Sequence, residues 1–505
     1  MRVLQIGRDD WSASTPLPAD VEWSFVEADG AAGADPDLVG RADVTVVDSR
    51  CDLAGLTALD ASIAPHTLLV GRNLAAAFDD TYRTFLARKA ATYEDLSDRE
   101  RLAASLPRRF FARQFGQKLQ VRKAMLSPFH HADWWFEGSS CLGTTVESDA
   151  LRQLVIWKEN IEYRSDRALE LWPEFVADPG CEVELGVQLI RSGTADGIVS
   201  QRRYTQAELA EPIVVAEPTS GYLSCSLFVK GTGTVRVGPL HYRHSRWGSG
   251  QFLPGGQRIV DSRREELFYY FHPGNLKPPL NIYFAGYRPA EGFEGSLMMA
   301  GLGHPFLLVT DPRLEGGRFY LGSEELESTL LEVIRGHVDR LGFREQDVIL
   351  SGLSMGSFGA LYYGSQLDAH AIIAGKPIVD LGYVAERGRL VRPHEFLTIF
   401  DVVNFWRHGQ DGATVDAFTK ELLARWSGDP GFGDTRILMA YMEQDDYDDD
   451  AYYTLLRSQT GKRTTVIARG YQGRHNDDSA SIVTWFVNQY KRVIAEYGRS
   501  HDVGQ

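Results

Sequence analysis

Residues Val348–Gly364 read VILSGLSMGSFGALYYG. An apolar strand over Val348–Leu350 runs into Gly352-Leu353-Ser354-Met355-Gly356, and a helical pattern continues to Gly364. The G-x-S-x-G spacing has a steric cause. A serine held in a tight strand-to-helix turn leaves no room for side chains two residues to either side, and glycine removes the collision. Gly359 and Ala360 keep the following helix close to the sheet. The start of that helix presents unpaired N–H groups and positive potential beside the serine. A bare G-x-S-x-G carries little information; between a strand and a helix it marks Ser354 as a candidate nucleophile.

Working outward, apolar strands at Leu280–Ala285, Phe306–Thr310, Ala371–Ala374, Ile437–Tyr441 and Thr464–Ala468 alternate with helical patterns. The clearest helices cover Glu324–Leu341, Val415–Trp426 and Ser479–Tyr497. Near-continuous apolar strands interleaved with helices predict a parallel sheet covered on both faces. Right-handed crossovers then place the strand C-termini at one edge, where ligands bind. The fold class is α/β, with an α/β-hydrolase domain over residues 277–505.

A serine hydroxyl needs a base, and this architecture delivers acid and then histidine downstream of the nucleophile. His370 precedes a strand and His501 sits in the tail, while His394 and His408 come before the loop that should supply the acid. His475 lies in Gly470-Tyr471-Gln472-Gly473-Arg474-His475-Asn476-Asp477, a polar loop between the last strand and the last long helix. It is the candidate base. For the acid, the strand Ile437–Tyr441 runs into Met442-Glu443-Gln444-Asp445-Asp446-Tyr447-Asp448-Asp449-Asp450. A reach of three to four residues beyond the strand favours Asp445, with Glu443 and Asp446 as alternatives. Calcium binding by this run would need EF-hand spacing and its glycine, which are missing.

Acyl chemistry also needs two N–H donors aimed at the developing oxyanion. Met355, directly after the serine, supplies one candidate amide. The loop after Leu280–Ala285 supplies the other through Gly286 or Tyr287, and Gly286 would let that loop approach a substrate.

Upstream, the 505-residue chain is long enough for two or three domains. Residues 1–180 read as an N-terminal α/β and helical region, with apolar runs at Val3–Ile6, Val44–Val47 and Thr67–Val70 confined to its first 75 residues. No G-x-G-x-x-G occurs there, so no nucleotide is assigned. Residues 181–276 carry short alternating runs broken by Gly and Pro, which predicts an antiparallel β-sandwich. His241, Tyr242, His244, Trp247 and Phe252 are expected in its loops, either stacking on sugar rings or capping the core.

A net charge of −15 argues against generic nucleic-acid binding. No run of about 18 apolar residues would span a membrane, and the start lacks a secretory h-region. The four cysteines have no CxxC pair, so neither a thiolate metal site nor a disulfide framework is indicated. These features predict a cytoplasmic protein.

The segment Ser351–Gly364, together with Ala440–Asp448 and Gly473–Asp477, resembles the second Asp-type component of the bacterial accessory Sec system. The overall length and the order of α/β unit, β-sandwich and hydrolase are similar as well. The resemblance implies a protein that assists export of serine-rich repeat glycoprotein adhesins, beside two sibling accessory proteins and a Sec motor ATPase. It implies an O-acetyltransferase acting on N-acetylglucosamine through a Ser–acid–His triad, with Ser354 and His475 carried over directly. The family's acid is described as a glutamate, which keeps Glu443 open beside Asp445. No bound cofactor or metal is implied, and the acetyl donor stays open. Such a protein would work in the cytoplasm or peripherally at the inner face of the plasma membrane. Two other readings stand beside this one: a carbohydrate esterase with a sugar-binding sandwich, and a non-enzymatic export factor.

Overall fold

The structure, a computed structural model, describes the chain apart from residues 34–39, 78, 194–196, 393–397, 407–414, 429–430 and 503–505. His394 and His408 fall outside the described residues.

The N-terminal unit is a five-stranded parallel sheet built from β1 (Arg2–Gly7), β2 (Glu22–Glu27), β3 (Val44–Val47), β4 (Leu68–Gly71) and β5 (Thr92–Glu94). Its strand order is β2-β1-β3-β4-β5. The central strands are apolar on both faces because both are covered. Leu4, Ile6, Val47 and Leu68 pack on one side, and Val3, Val44, Val46 and Trp11 on the other. The sheet runs on to Glu94, beyond the 75 residues expected, because its last strand, Thr92-Tyr93-Glu94, is short and polar.

A ten-stranded sheet, whose pairings are antiparallel, follows. Its long members are β6 (Cys141–Trp157), β7 (Leu169–Ala177), β8 (Cys181–Arg191) and β9 (Gly221–His244). β9 is central. It pairs with β8 up to Gly231 and with β7 from Val235 onward. Gly231 and Gly233 sit between those partners at φ +110° and +150°, a backbone that side chains resist, and this is where the strand changes neighbours.

The boundaries expected at 181 and 277 do not coincide with these strands. Antiparallel pairing already begins at Gly116. The middle of β6 is largely exposed, so the stretch upstream of 181 lacks the alternating apolar signal. At the other end, β10 (Gly256–Val260) and β11 (Glu266–His272) join the C-terminal sheet. Periodicity identifies a strand but cannot say which sheet receives it.

That C-terminal sheet also contains β12 (Leu280–Phe284), β13 (Phe306–Thr310), β14 (Val348–Leu353), β15 (Ala371–Gly375), β16 (Arg436–Met442) and β17 (Thr465–Tyr471). The order is β10-β11-β13-β12-β14-β15-β16-β17. β11 runs antiparallel to its neighbours, and β12 to β17 are parallel. One face packs on α1 (Glu324–Leu341) and α2 (Met355–Gly364) through Ile282, Phe284, Ile334 and Phe358. The other packs on α3 (Ser479–Asp502) through Tyr283, Ile349, Phe486 and Tyr490. Fully burying a side chain such as Phe358 contributes about 1.5–3 kcal/mol. The sheet therefore holds the strand ends rigidly, and the loops at its carboxyl edge carry the polar groups described next.

Of the aromatics expected in sandwich loops, Trp247 and Phe252 do lie in the loop after β9, while the other three lie in the strand itself. His241, Tyr242 and His244 belong to β9, and Phe252 is buried against Phe268 and Phe293. Trp247 alone of the five is exposed. Pro- and Gly-punctuated sequence around a very long strand gave the appearance of loops.

Candidate active site

Ser354 is the residue between β14 and α2, and its backbone sits at φ 53°, ψ −121°. Non-glycine residues rarely adopt this conformation, and it costs on the order of 1–3 kcal/mol where the surroundings enforce it. Those surroundings are identifiable. A Cβ on Gly352 would lie 2.1 Å from the Gly356 carbonyl, and one on Gly356 would lie 2.0 Å from the Phe284 carbonyl oxygen. The Ser354 amide donates to the Gly375 carbonyl at 2.9 Å, tying the turn to the neighbouring strand. Ser357 then donates its hydroxyl to the Ser354 carbonyl at 2.5 Å and accepts the Ile378 amide at 3.0 Å.

The raised turn directs Ser354 Oγ to His475 Nε2 at 2.8 Å. On the other side of the ring, Nδ1 lies 2.9 Å from Asp445 Oδ2 and 3.1 Å from Oδ1. Asp445 and His475 are both buried. Asp445 as acceptor fixes the proton on Nδ1, so Nε2 is left to accept the serine proton. Asp445 is itself held by the Tyr447 amide at 2.8 Å.

Each remaining acid of the 443–450 run has its own partner. Glu443 turns away from His475 and accepts a bond from the Gln472 side chain. Asp446 accepts the backbone N–H of His475 at 3.0 Å and forms an ion pair with Arg392. Asp448 accepts the amides of Val379 and Asp380 at 2.7 and 2.9 Å. Asp449 pairs with Arg387, and Asp450 with Arg457. Among the described residues no group of three or more His, Cys, Asp or Glu side chains is placed to hold a metal ion.

The acid and histidine loops are joined directly. Glu443 donates its amide to the Tyr471 carbonyl at 2.8 Å, and Gln444 donates to the Gly473 carbonyl at 3.1 Å. Gly473 reverses the chain at φ +117° just before His475. Lys376 fixes the far end, reaching Ser479 Oγ at 2.8 Å.

Of the oxyanion candidates, Met355 is the first residue of α2, so its amide has no carbonyl one turn back to bond. Gly286 does not fill the expected role, since its amide donates to Glu294 Oε2 at 2.9 Å. No spacing rule in the sequence points from Gly286 to this carboxylate eight residues on. Arg288 donates its amide to the Gly316 carbonyl at 3.1 Å. Tyr287, between the two, packs its ring against Gly316.

Two further groups escaped the sequence reading. The Tyr447 ring lies 4.5 Å from the His475 ring, and the Arg392 guanidinium stacks 4.1 Å over Tyr447. An aromatic two residues after the acid was visible in the sequence, but its stacking partner was not.

A strained serine, a buried histidine accepting from it and a carboxylate behind the histidine form an array competent for nucleophilic acyl transfer. The fold and this array together define a protein with an α/β-hydrolase-type unit, preceded by an antiparallel β unit and an N-terminal α/β unit.

The chain belongs to the accessory Sec system GspB-transporter family, whose model matches residues 1–499. It is 37% identical to an accessory Sec system protein of the second Asp type from Staphylococcus aureus, over 99% of this chain and 97% of that one. It is 36% identical to the corresponding protein of Streptococcus gordonii, over 99% of both. Among solved structures, it superposes with a TM-score of 0.90 and 32% identity on a chain of the glycosylation-associated protein (Gap123) complex from Streptococcus agalactiae, covering 98% of each. No helix among the described residues is long and apolar enough to cross a membrane.

Proposed function

We propose that this chain is a serine-dependent O-acetyltransferase of the accessory Sec system, acting on N-acetylglucosamine of a serine-rich repeat glycoprotein during its export. The observation that carries the proposal is the hydrogen-bonded order Ser354–His475–Asp445 on a strained strand-to-helix turn. Family membership supplies the export setting, and the Gap123 likeness supports partnership with sibling accessory proteins. A Sec motor ATPase and a cytoplasmic location, or a peripheral one at the inner membrane face, belong to the same proposal.

Ser354 Oγ attacks the carbonyl carbon of an acetyl donor, and its proton passes to His475 Nε2. Asp445 stabilises the imidazolium that forms. The carbonyl oxygen becomes an oxyanion facing the Met355 amide, with the Tyr287 amide as the second donor. Collapse expels the donor's leaving group, which takes the proton from His475 and leaves Ser354 acetylated. A sugar hydroxyl then gives its proton to His475 and attacks the acetyl carbon. Breaking the Ser354 ester returns the proton to Oγ and releases the acetylated sugar. Water in place of the sugar gives an esterase by the same steps, so the acceptor decides the class.

The test compares wild type with Ser354→Ala, reading glycan acetylation by mass spectrometry and adhesin export in the same cells. Loss of acetylation with export retained is the expected result and separates two functions. Unchanged acetylation in the alanine variant overturns the catalytic assignment and favours the non-enzymatic reading. Free acetate released by the wild type without glycan acetylation would identify the esterase.

A further inference from the structure

A cavity of about 670 Å³ lies between the ten-stranded sheet and the α/β-hydrolase unit. Trp135, Phe136 and Arg236 line it from the first, and Leu314, Arg318 and Phe405 from the second. Ser354, His475 and Asp445 are not among its walls, so it is separate from the site above.

Arg318 is the unusual member. It is 2% exposed, and its Nη1 donates to Glu265 Oε1 at 2.5 Å. Its Nε and Nη2 are buried and have no hydrogen-bond partner among the described residues. Its neighbour Arg313 contrasts with it, being bound on one side by Asp311 and on the other by Glu265. Arg236 on the opposite wall is paired with Glu137 at 2.6 Å. A buried guanidinium with unmet donors is costly unless something accepts from it. Nε and Nη2 are adjacent and coplanar, the fork that binds both oxygens of a carboxylate or phosphate. The Phe405 ring sits 5.0 Å from the same guanidinium, and Leu314 and Trp135 add further apolar wall.

We propose that this cavity binds a small anionic ligand, its carboxylate or phosphate group met by Nε and Nη2 of Arg318 as the guanidinium turns toward the cavity, and its ring or apolar body packed against Phe405, Leu314 and Trp135. The occupant would be sensed at the active site through the loop between β13 and α1. Arg318 follows Gly317 in that loop, and a Cβ on Gly317 would lie 2.4 Å from Met355 Sδ. Met355 directly follows Ser354.

Benzoate and phenyl phosphate carry the two anionic groups on one ring and serve as probes, titrated into the full-length protein by calorimetry. Saturable binding of either supports the site. Preference for one identifies a carboxylate or a phosphate ester as the natural ligand chemistry. Arg318→Lys keeps the charge and loses the fork, and is expected to weaken binding at least about tenfold. Trp135→Ala, at a partly exposed wall, is expected to weaken it independently and serves if the arginine variant does not fold. Absence of saturable binding by both probes overturns the proposal. So does wild-type affinity in a folded Arg318→Lys protein, or, if that protein does not fold, in Trp135→Ala.

Discussion

Asp446 accepts the backbone N–H of His475 at 3.0 Å, while the preceding residue, Asp445, takes the ring of the same histidine. Adjacent carboxylates thus hold one histidine at its main chain and at its imidazole. Asp446 faces no reacting atom and acts by position. Asp446→Ala removes both this bond and the Arg392 ion pair, and should lower kcat for hydrolysis of a chromogenic acetyl ester by about 10- to 100-fold with little change in KM. Asp446→Asn keeps an acceptor for the amide and should fall between. Equal kcat in all three proteins would remove Asp446 from the positioning role.

Asp445→Asn tests the acid itself. The amide no longer stabilises an imidazolium and can favour the other ring tautomer, so kcat should drop by about 10³- to 10⁴-fold. Glu443→Gln, whose side chain lies against Gln472, should leave the rate unchanged. The reverse ranking would assign the acid to Glu443.

Much of this site could be read in advance because its parts are local. The turn around Ser354 is dictated by Gly352 and Gly356, and the loop holding His475 is bounded by a strand and a helix. The sequence does not single out one of Glu443, Asp445 and Asp446, since a run of acids offers several side chains at nearly equal reach. The direction each takes depends on contacts with Gln472, His475 and Arg392, which are distant in sequence. The Gly286 amide is engaged by Glu294 through a loop geometry that no periodicity encodes. Sheet membership was hidden for the same reason. β10 and β11 have the texture of the strands before them, yet tertiary packing assigns them to the following sheet.

Asp448 offers a contrast between losing a charge and losing an acceptor. Burial, with the nearby Asp380 and Asp445 charges adding to it, pushes its carboxyl up to about 7. For an acid whose folded value is raised, ionisation costs stability progressively as pH climbs from about 3.8 through 7. Asp448→Asn keeps an oxygen for the Val379 and Asp380 amides without the charge, so near pH 8 it should equal or exceed wild type in thermal midpoint. Asp448→Ala orphans two buried N–H groups and should cost about 1–3 kcal/mol for each. Thermal melts of the three proteins decide this; an asparagine variant as unstable as the alanine one would contradict it.

The final prediction concerns the join between the two large sheets. His241 of β9 bonds Glu291 at 2.5 Å and Glu174 at 2.7 Å, and Arg243 bonds Glu291 at 2.5 Å and Glu266 at 2.6 Å. Glu266 and Glu291 belong to the C-terminal unit, so this buried cluster spans the junction. Burial alone would lower the His241 value, but the Glu291 and Glu174 carboxylates overcome it and push it up to about 9. Burial would raise Glu291, yet Arg243 and His241 bring it down to about 2. The histidine's contribution is complete below its ordinary value of 6.5 and is lost as pH rises through about 9. That of Glu291 is complete above its ordinary value of 4.5 and is lost as pH falls through about 2. Both are therefore intact between these ordinary values. Glu291→Gln leaves Arg243 and His241 short of a buried counter-charge, and should cost about 3–5 kcal/mol there. The gap in apparent melting temperature between wild type and Glu291→Gln should be widest near pH 6 and narrow toward about pH 9 as His241 deprotonates. A gap that stays constant across this range would mean that the cluster stabilises the junction by packing, without the histidine's charge.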